Sequence, residues 1–468
     1  MQEIQLPKQG LRIKQLVEAL VRVDGAEPAL GIPKHQKMAS DPFVFLRGSA
    51  SLLYSDIASG LITFPDELDY LPLTTVMGDC HVANFGFITE EGSHGDRVIF
   101  APNDFDDACI GRPVWDVFRF LVSMVLAAGY GAKQYGSQQS ENEPDNDEKV
   151  SDGSINTGIL SEAHIEQAMK DFLWAYRNAC SQSVQDSRFY HTALASFEKP
   201  HCLAKFWKKA RKRCFGEKNF MTKSALAKAC DLERHPLQFR TDPAKFQRLN
   251  KTEYCHIESA FAPYVDDDIL DIVERLNAGT GSVNMPRYYL LVGPRGASSA
   301  TSDLLALSHL IEVKQQRHAA PLFHFQSLSP KNRLNPAHLT VYCQSRMQRS
   351  PDLVLDEVVW QGAHWLVRSR HHARVGIDPE AVTVGENAVN GGFSDYAQAC
   401  GHVLALAHGR GDRRSTQLEQ RVVSVLPDHI EGLVRGAFAY AEVVKQDCEL
   451  LKTLLPSHRS FSSSFQHA

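Results

Sequence analysis

Residues 76–107 read VMGDCHVANFGFITEEGSHGDRVIFAPNDFDD: apolar, strand-like runs broken at a few points by aspartate and asparagine. A lone carboxylate inside an apolar run is costly to bury, so such residues are expected where strands end and loops begin. The segment therefore reads as strand, loop, strand, turn, strand, followed by the helix VWDVFRFLVSMVLAAGYG. Asp79 and Asn84 fall in the first loop, and Asp104 ends the apolar run RVIFAPND. Phosphoryl transfer needs this set: a carboxylate to orient or deprotonate an attacking hydroxyl, with an asparagine and an aspartate to hold magnesium on nucleotide phosphates.

Composition narrows the setting. The chain has 468 residues, 43% hydrophobic and 22% charged, as expected of a globular protein of about two or three domains. A net charge of -5 provides no general attraction to nucleic acid or to an anionic membrane. The ten cysteines include no CxxC pair and read as reduced thiols, so a cytoplasmic protein is expected. The first twenty residues carry charges throughout and lack the apolar segment of a secretory leader. The apolar run Phe120 to Ala128 is too short to span a bilayer. Residues 1–265 are expected to form a helical lobe holding the two acidic loops, with residues 131–157 as a polar, flexible loop. Strand patterns mark residues 266–380 as a β-rich lobe, and residues 381–468 return to helices that complete the helical lobe.

The β-rich stretch carries a second signal. AGTGSVN lies between two strand-like runs, and a lysine, Lys314, follows in IEVK. Small residues at Gly279, Thr280, Gly281 and Ser282 would let backbone N–H groups approach phosphate oxygens. Alone, such a loop is more often a tight hairpin. Followed by strand, turn and a strand-borne lysine, it matches the way protein kinases hold nucleotide phosphates, and Asp79 and Asn84 repeat the aspartate-to-asparagine spacing of the kinase catalytic loop.

FVFLRGSASLLYSDIA, GDCHVANFGF, NDFDDACIGRPVWDVFRF, NAGTGSVNMPRYYLL, IEVK and ACGHVLALAHGRGD, in that order, resemble the bacterial family known as domain of unknown function 2252 from about residue 40 to residue 450. That family is grouped with protein-kinase-like folds and has no settled activity. GDCHVAN and NDFDDA are also similar to the catalytic and metal-binding stretches of aminoglycoside phosphotransferases and choline kinases. The resemblance implies ATP and magnesium as cofactors, Asp79 as the catalytic aspartate, Asn84 and Asp104 as magnesium ligands, and Lys314 as the phosphate-contacting lysine. In ordinary kinases the glycine loop and lysine precede the catalytic loop; here they follow it. The expected fold is therefore α+β, two-lobed and protein-kinase-like, circularly permuted with the catalytic-loop lobe first. The helix-like stretch after Lys314, NPAHLTVYCQSRMQR, has no acid, so the usual lysine–glutamate pair is expected to be absent or replaced by Gln344 or Gln348.

Single residues carry competing readings. His81 reads first as a hydrogen-bonding brace and second as a catalytic acid or base. Asp106 is an auxiliary metal ligand ahead of Asp107, and Asp116 is expected to brace the catalytic loop. Arg47 is either a substrate or phosphate contact or a buried ion-pair partner. Arg368 is a nucleotide contact or a snorkelling side chain. The expected activity is ATP-dependent phosphoryl transfer to an unknown hydroxyl acceptor, more in keeping with a small molecule than a protein. A pseudoenzyme or a nucleotidyl transferase is the alternative. KFWKKARKRCFGEKNFMTK, Lys205 to Lys223, mixes cations with aromatics and raises nucleic-acid binding as a further, minor alternative.

Overall fold

The computed structural model of the protein describes residues 4, 7–142, 158–186, 188–233, 236–276, 285–295, 302–412 and 415–456. Its helical body is built from α1 (Gln9–Asp24), α2 (Pro113–Asn142), α3 (Glu162–Gln185), α4 (Pro336–Met347), α5 (Phe393–Asp412) and α6 (Gln417–Leu454), with shorter helices between them. α3 starts at a capping box, in which Ser161 accepts the His164 N–H and His164 accepts the Ser161 N–H. It buries Ile165, Ala168, Met169, Phe172, Leu173, Tyr176 and Ala179, one helical face, against α5 and α6. α3 and α5 approach closely at Gly401, where a Cβ would lie 2.3 Å from the Phe172 carbonyl oxygen.

α2 is the central helix. Val114 to Leu126 are all buried, and the charged and hydroxyl groups among them, Asp116, Arg119 and Ser123, each have hydrogen-bond partners. By length and composition its residues 113–137 could cross a membrane, yet 89% of the most apolar window is buried inside the protein, where it forms core. The helix also continues to Asn142, beyond residue 131 where the polar composition suggested a loop. The apolar first half nucleates it, and the polar segment extends hydrogen bonds already in place. Residues 143–157 of that expected loop lie outside the described residues.

The ends of the chain are joined by a buried ionic triad. Arg12 of α1 donates from Nε to Asp447 Oδ1 of α6 at 2.8 Å and from Nη2 to Asp56 Oδ2 at 2.8 Å. The Tyr440 hydroxyl adds a 2.7 Å bond to the same Asp56 oxygen. Burial disfavours the charges; the two carboxylates outweigh it at Arg12, whose guanidinium is held above its usual range, while at Asp447 burial still prevails over Arg12 and keeps the carboxyl raised.

Among the described residues, three antiparallel sheets accompany the helices. β1 (Thr74–Val76) pairs with β4 (Cys109–Gly111). β2 (Phe85–Thr89) and β3 (Val98–Pro102) form a hairpin, with β11 (Val375–Gly376) on its outer side. The largest sheet has the order β5-β6-β7-β8-β10-β9, from β5 (Phe246–Arg248), β6 (Ile269–Arg275), β7 (Arg287–Val292), β8 (His309–Gln315), β9 (Asp356–Trp360) and β10 (Ala363–Ser369). The architecture is α+β, and each strand expected between residues 268 and 372 is present. LLALSHLIEVKQQ divides into a short helix, Ser302–Leu307, and β8. In β8, Ile311 and Val313 face one apolar cluster, and the alternation puts Leu310, Glu312 and Lys314 on the other face.

Replacing Arg12 by alanine leaves two carboxylates buried without a cation. Chemical denaturation should show Arg12→Ala destabilised by about 3–5 kcal/mol. A loss below about 1 kcal/mol would mean that the triad does not anchor α1 to α6.

Candidate functional site

The loop between β1 and β2 is held from every side. Buried Asp116 on α2 accepts the Met77 N–H at 2.6 Å and the Gly78 N–H at 3.0 Å. His408 of α5 sits 3.1 Å from the same carboxylate through Nε2, and its Nδ1 meets the Tyr176 hydroxyl at 2.8 Å. The Tyr54 hydroxyl donates to the Gly78 carbonyl, and Ser123 accepts the Val82 N–H. Gly78 itself has φ +74, and a Cβ there would meet the Asp107 carbonyl oxygen at 1.9 Å. Only glycine meets both demands, and this contact stacks the GDCHVAN loop directly on NDFDD.

Within this frame, Asp79 is partly exposed, and its Oδ1 accepts two N–H groups of buried Arg119, the Nε contact at 2.8 Å. The Asn84 amide nitrogen donates to the Asp79 carbonyl at 2.9 Å, which leaves Asn84 Oδ1 as the side-chain atom able to face a cation. His81 is buried. Its Nδ1 accepts the Ala83 N–H, so the ring proton of the neutral imidazole is on Nε2, 3.7 Å from Asp79 Oδ2. Burial, reinforced by Arg47 and Arg119, holds this imidazole well below its usual range. Arg47 lies over the Phe43 ring, its Nε is buried without a hydrogen-bond partner, and no carboxylate pairs with it among the described residues. The ion-pair reading of Arg47 therefore finds no partner among the described residues.

NDFDD meets the large sheet at the same place. Asp106 forms an ion pair with Lys314, 208 positions away, and the Gln316 side chain donates to the Asp106 carbonyl at 2.7 Å. The acidic partner of the strand lysine thus comes from the second acidic loop rather than from α4, where Gln344 donates to Gln348. α4 packs beside β9 and β10 and also against β1 and β4, so the sheet is laid directly on the loops that carry the aspartates. Asp107 points elsewhere: it accepts the Ala320 N–H at 2.7 Å and pairs with Arg317 at 3.3 Å.

Register lines charges along the sheet face. Arg287 is opposite Lys314, and Arg368 is opposite Glu312. Fully buried Glu312 pairs with Arg287 at 3.2 Å, Arg368 at 2.8 Å and Arg370 at 3.5 Å. Burial alone would raise its carboxyl; these cations hold it well below the usual range, and it stays ionised. Arg368 also lies 3.5 Å from Asp106, so it is an ion-pair residue of this junction and not a snorkelling side chain. Arg374, whose guanidinium is lowered to about 10 by burial and by Arg370 and Arg368, sits within electrostatic reach of Asp104. Five cationic groups (Arg287, Lys314, Arg368, Arg370 and Arg374) thus face three carboxylates (Asp104, Asp106 and Glu312). Asp104 has no ion-pair partner at contact distance among the described residues and accepts only the Asp106 N–H, at 3.3 Å. Burial, and then Asp106, push its carboxyl up to about 6. The opposite holds for Asp106, which Lys314 and Arg368 keep below the carboxylate range against the effect of burial.

The remaining expected site residues, Gly279, Thr280, Gly281 and Ser282, lie outside the described residues. β7, which follows that segment, starts at Arg287, opposite Lys314 on β8, and β6, which precedes it, pairs with the other edge of β7. Arg119 and Glu312 escaped sequence reading, although each had a signal. Arg119 is three residues after Asp116 on α2, on the same helical face, and Glu312 is two before Lys314 on the same strand face. In the basic stretch, Phe206 and Phe220 are buried and Trp207 is half-buried beneath Arg211, which leaves Phe215 as the exposed ring.

The chain belongs to the family described as "Uncharacterized protein conserved in bacteria (DUF2252)", whose model matches residues 27–141 and 157–453. No curated protein and no solved structure matches it.

Asp104 yields a pH prediction. Its carboxyl titrates near 3.8 when unfolded and near 6 in the folded protein, so the native state holds the proton more tightly. Stability from this group is present at low pH and is lost as pH rises through the interval between those values. Asp104→Asn, which cannot ionise, should therefore unfold at a higher temperature than the parent in metal-free buffer. The gain should be small near pH 4, grow up to about pH 6 and stay level above it. A pH-independent gain, or a loss at pH 8, would contradict this assignment of the buried charge.

Proposed function

We propose that the protein is a magnesium- and ATP-dependent phosphotransferase of protein-kinase-like, circularly permuted architecture, acting on a hydroxyl acceptor. The observation that carries the reading is the junction of the Lys314 strand with the two acidic loops: Lys314 pairs with Asp106 in the loop of Asp104, and that loop stacks through Gly78 and Asp107 on the one that carries Asp79 and Asn84. The excess of cationic groups over carboxylates on that face supports binding of a polyphosphate, which needs its charge neutralised in a partly buried site. The donor set suits magnesium. Asp104 is a carboxylate lacking a cation at contact distance, Asn84 has its amide oxygen uncommitted by the Asp79 contact, and Asp106 is adjacent. When bound, the ion supplies charge neutralisation on the phosphates.

The protein's own groups have definable parts in this reading. Lys314 and Arg368 neutralise phosphate oxygens, in exchange for part of their contact with Asp106. Asp79 presents Oδ2 to the acceptor hydroxyl while Arg119 fixes Oδ1. His81, neutral, braces the loop and offers its Nε2–H toward Asp79. Arg47, which has no carboxylate partner among the described residues, contacts the acceptor. Positioning and charge neutralisation carry the rate. A second reading, a nucleotide-binding pseudoenzyme or a nucleotidyl transferase, is favoured by the ion pair of buried Arg119 with Asp79, which engages the carboxylate that phosphoryl transfer would use on the acceptor.

Calorimetric titration with nucleotide and magnesium should show binding that Asp104→Ala abolishes; unchanged binding in that variant removes the metal assignment. Asp79→Ala should bind as the parent does and lose at least about 10²-fold in turnover, measured over a panel of small hydroxyl acceptors. Mass spectra of the products separate a phosphorylated acceptor from a nucleotidylated one. Nucleotide binding with neither product favours the pseudoenzyme.

A further inference from the structure

A cluster outside the cleft has the chemistry of a metal site. His94, in the turn between β2 and β3, Asp266, just before β6, and His309, the first residue of β8, bring one donor atom each to within 4.8 Å of one another. His94 Nε2 lies 2.6 Å from Asp266 Oδ2, His309 Nε2 lies 2.9 Å from Asp266 Oδ1, and the two imidazole rings are 4.7 Å apart.

The tautomer of His309 is what makes this arrangement informative. Its Nδ1 is 3.1 Å from the Leu307 carbonyl, which can only accept, so Nδ1 carries the proton. Nε2 of the neutral ring then turns a lone pair toward a carboxylate oxygen. Two acceptors at that distance require a positive charge between them, either a second proton or a cation. A backbone carbonyl fixing the far nitrogen is how metal-bound histidines are oriented. His372 adds a further imidazole within electrostatic reach of His94 and His309; it is 7% exposed and its Nδ1 has no hydrogen-bond partner.

We propose that His94, Asp266 and His309 bind a divalent cation of the zinc class, as a structural site that ties the β2–β3 hairpin to the large sheet. Two imidazoles and one carboxylate suit zinc, nickel or copper rather than magnesium or calcium, which take oxygen donors. The elements joined are consequential. The hairpin carries Asn84 just before β2 and Asp104 just after β3, and β8 carries Lys314. The site is independent of phosphotransfer. A second grouping, His201, Cys202 and Asp395, is the weaker one. His201 Nδ1 already accepts the Leu203 N–H, and burial pushes the Cys202 thiol up to about 12, away from the thiolate that binds metal.

The test is zinc titration of chelator-stripped full-length protein, by calorimetry and by competition with a chromogenic chelator. One zinc per chain should bind and raise the unfolding temperature. His94→Ala, on an exposed turn where folding should be unaffected, and His309→Ala should each weaken binding at least about tenfold. Cys202→Ser should leave binding unchanged. Absence of stoichiometric uptake, uptake unaltered by His94→Ala, or uptake lost in Cys202→Ser would each overturn the proposal.

Discussion

The candidate site depends on one buried carboxylate. Asp116 is wholly inaccessible, and its two oxygens take the N–H groups of Met77 and Gly78, which orients the loop that presents Asp79 and Asn84. A buried charge is tolerated where hydrogen bonds replace water, and here His408 completes the set, itself held by Tyr176. The helix that supplies Asp116 also supplies Arg119, so one rigid element positions both the backbone of the loop and the carboxylate it displays. α3 and α5, which pack through Gly401, hold the far end of the same network.

The second organising constraint is electrostatic. Glu312 is surrounded by arginines, and Asp106 is paired with Lys314, so these two carboxylates remain ionised in a buried setting. Asp104 lacks such a partner and is pushed the other way. Neighbouring aspartates in NDFDD thus have three environments: Asp104 beside the cleft without a cation, Asp106 on the strand lysine, and Asp107 folded back onto Arg317 and the Ala320 N–H. Local sequence does not distinguish them, because each difference is set by what arrives from residues 312–320.

Much of the framework was readable from patterning. Period-two alternation located β6 to β10, and the apolar spacing of VWDVFRFLVSMV located α2. Asp116 was readable as a brace through the resemblance of VWDVFRF to the matching helix of kinases, and its burial against the Met77 and Gly78 N–H groups agrees with that part. The partner of Lys314 was not readable, since a search of the following helix assumes an order of elements that this chain does not have. Arg119 and Arg47 look alike as arginines in apolar stretches; one clamps Asp79 and the other has no carboxylate partner among the described residues. The extension of α2 to Asn142 likewise went against composition, because a helix already nucleated propagates at little cost.

By itself the sequence determined where strands β6 to β10 of the large sheet and the apolar half of α2 lie, that Gly78 precedes a functional-looking aspartate, and that a lone lysine lies on an apolar strand. Those properties are local: they follow from side-chain period, backbone freedom and the cost of burying charge. Tertiary structure alone decided that Lys314 meets Asp106, that Asp104 is left without a cation, and that His94, Asp266 and His309 converge. Each of these contacts joins residues far apart in the chain, and their energies depend on burial and on neighbouring charge, neither of which exists until the sheet is laid against the acidic loops.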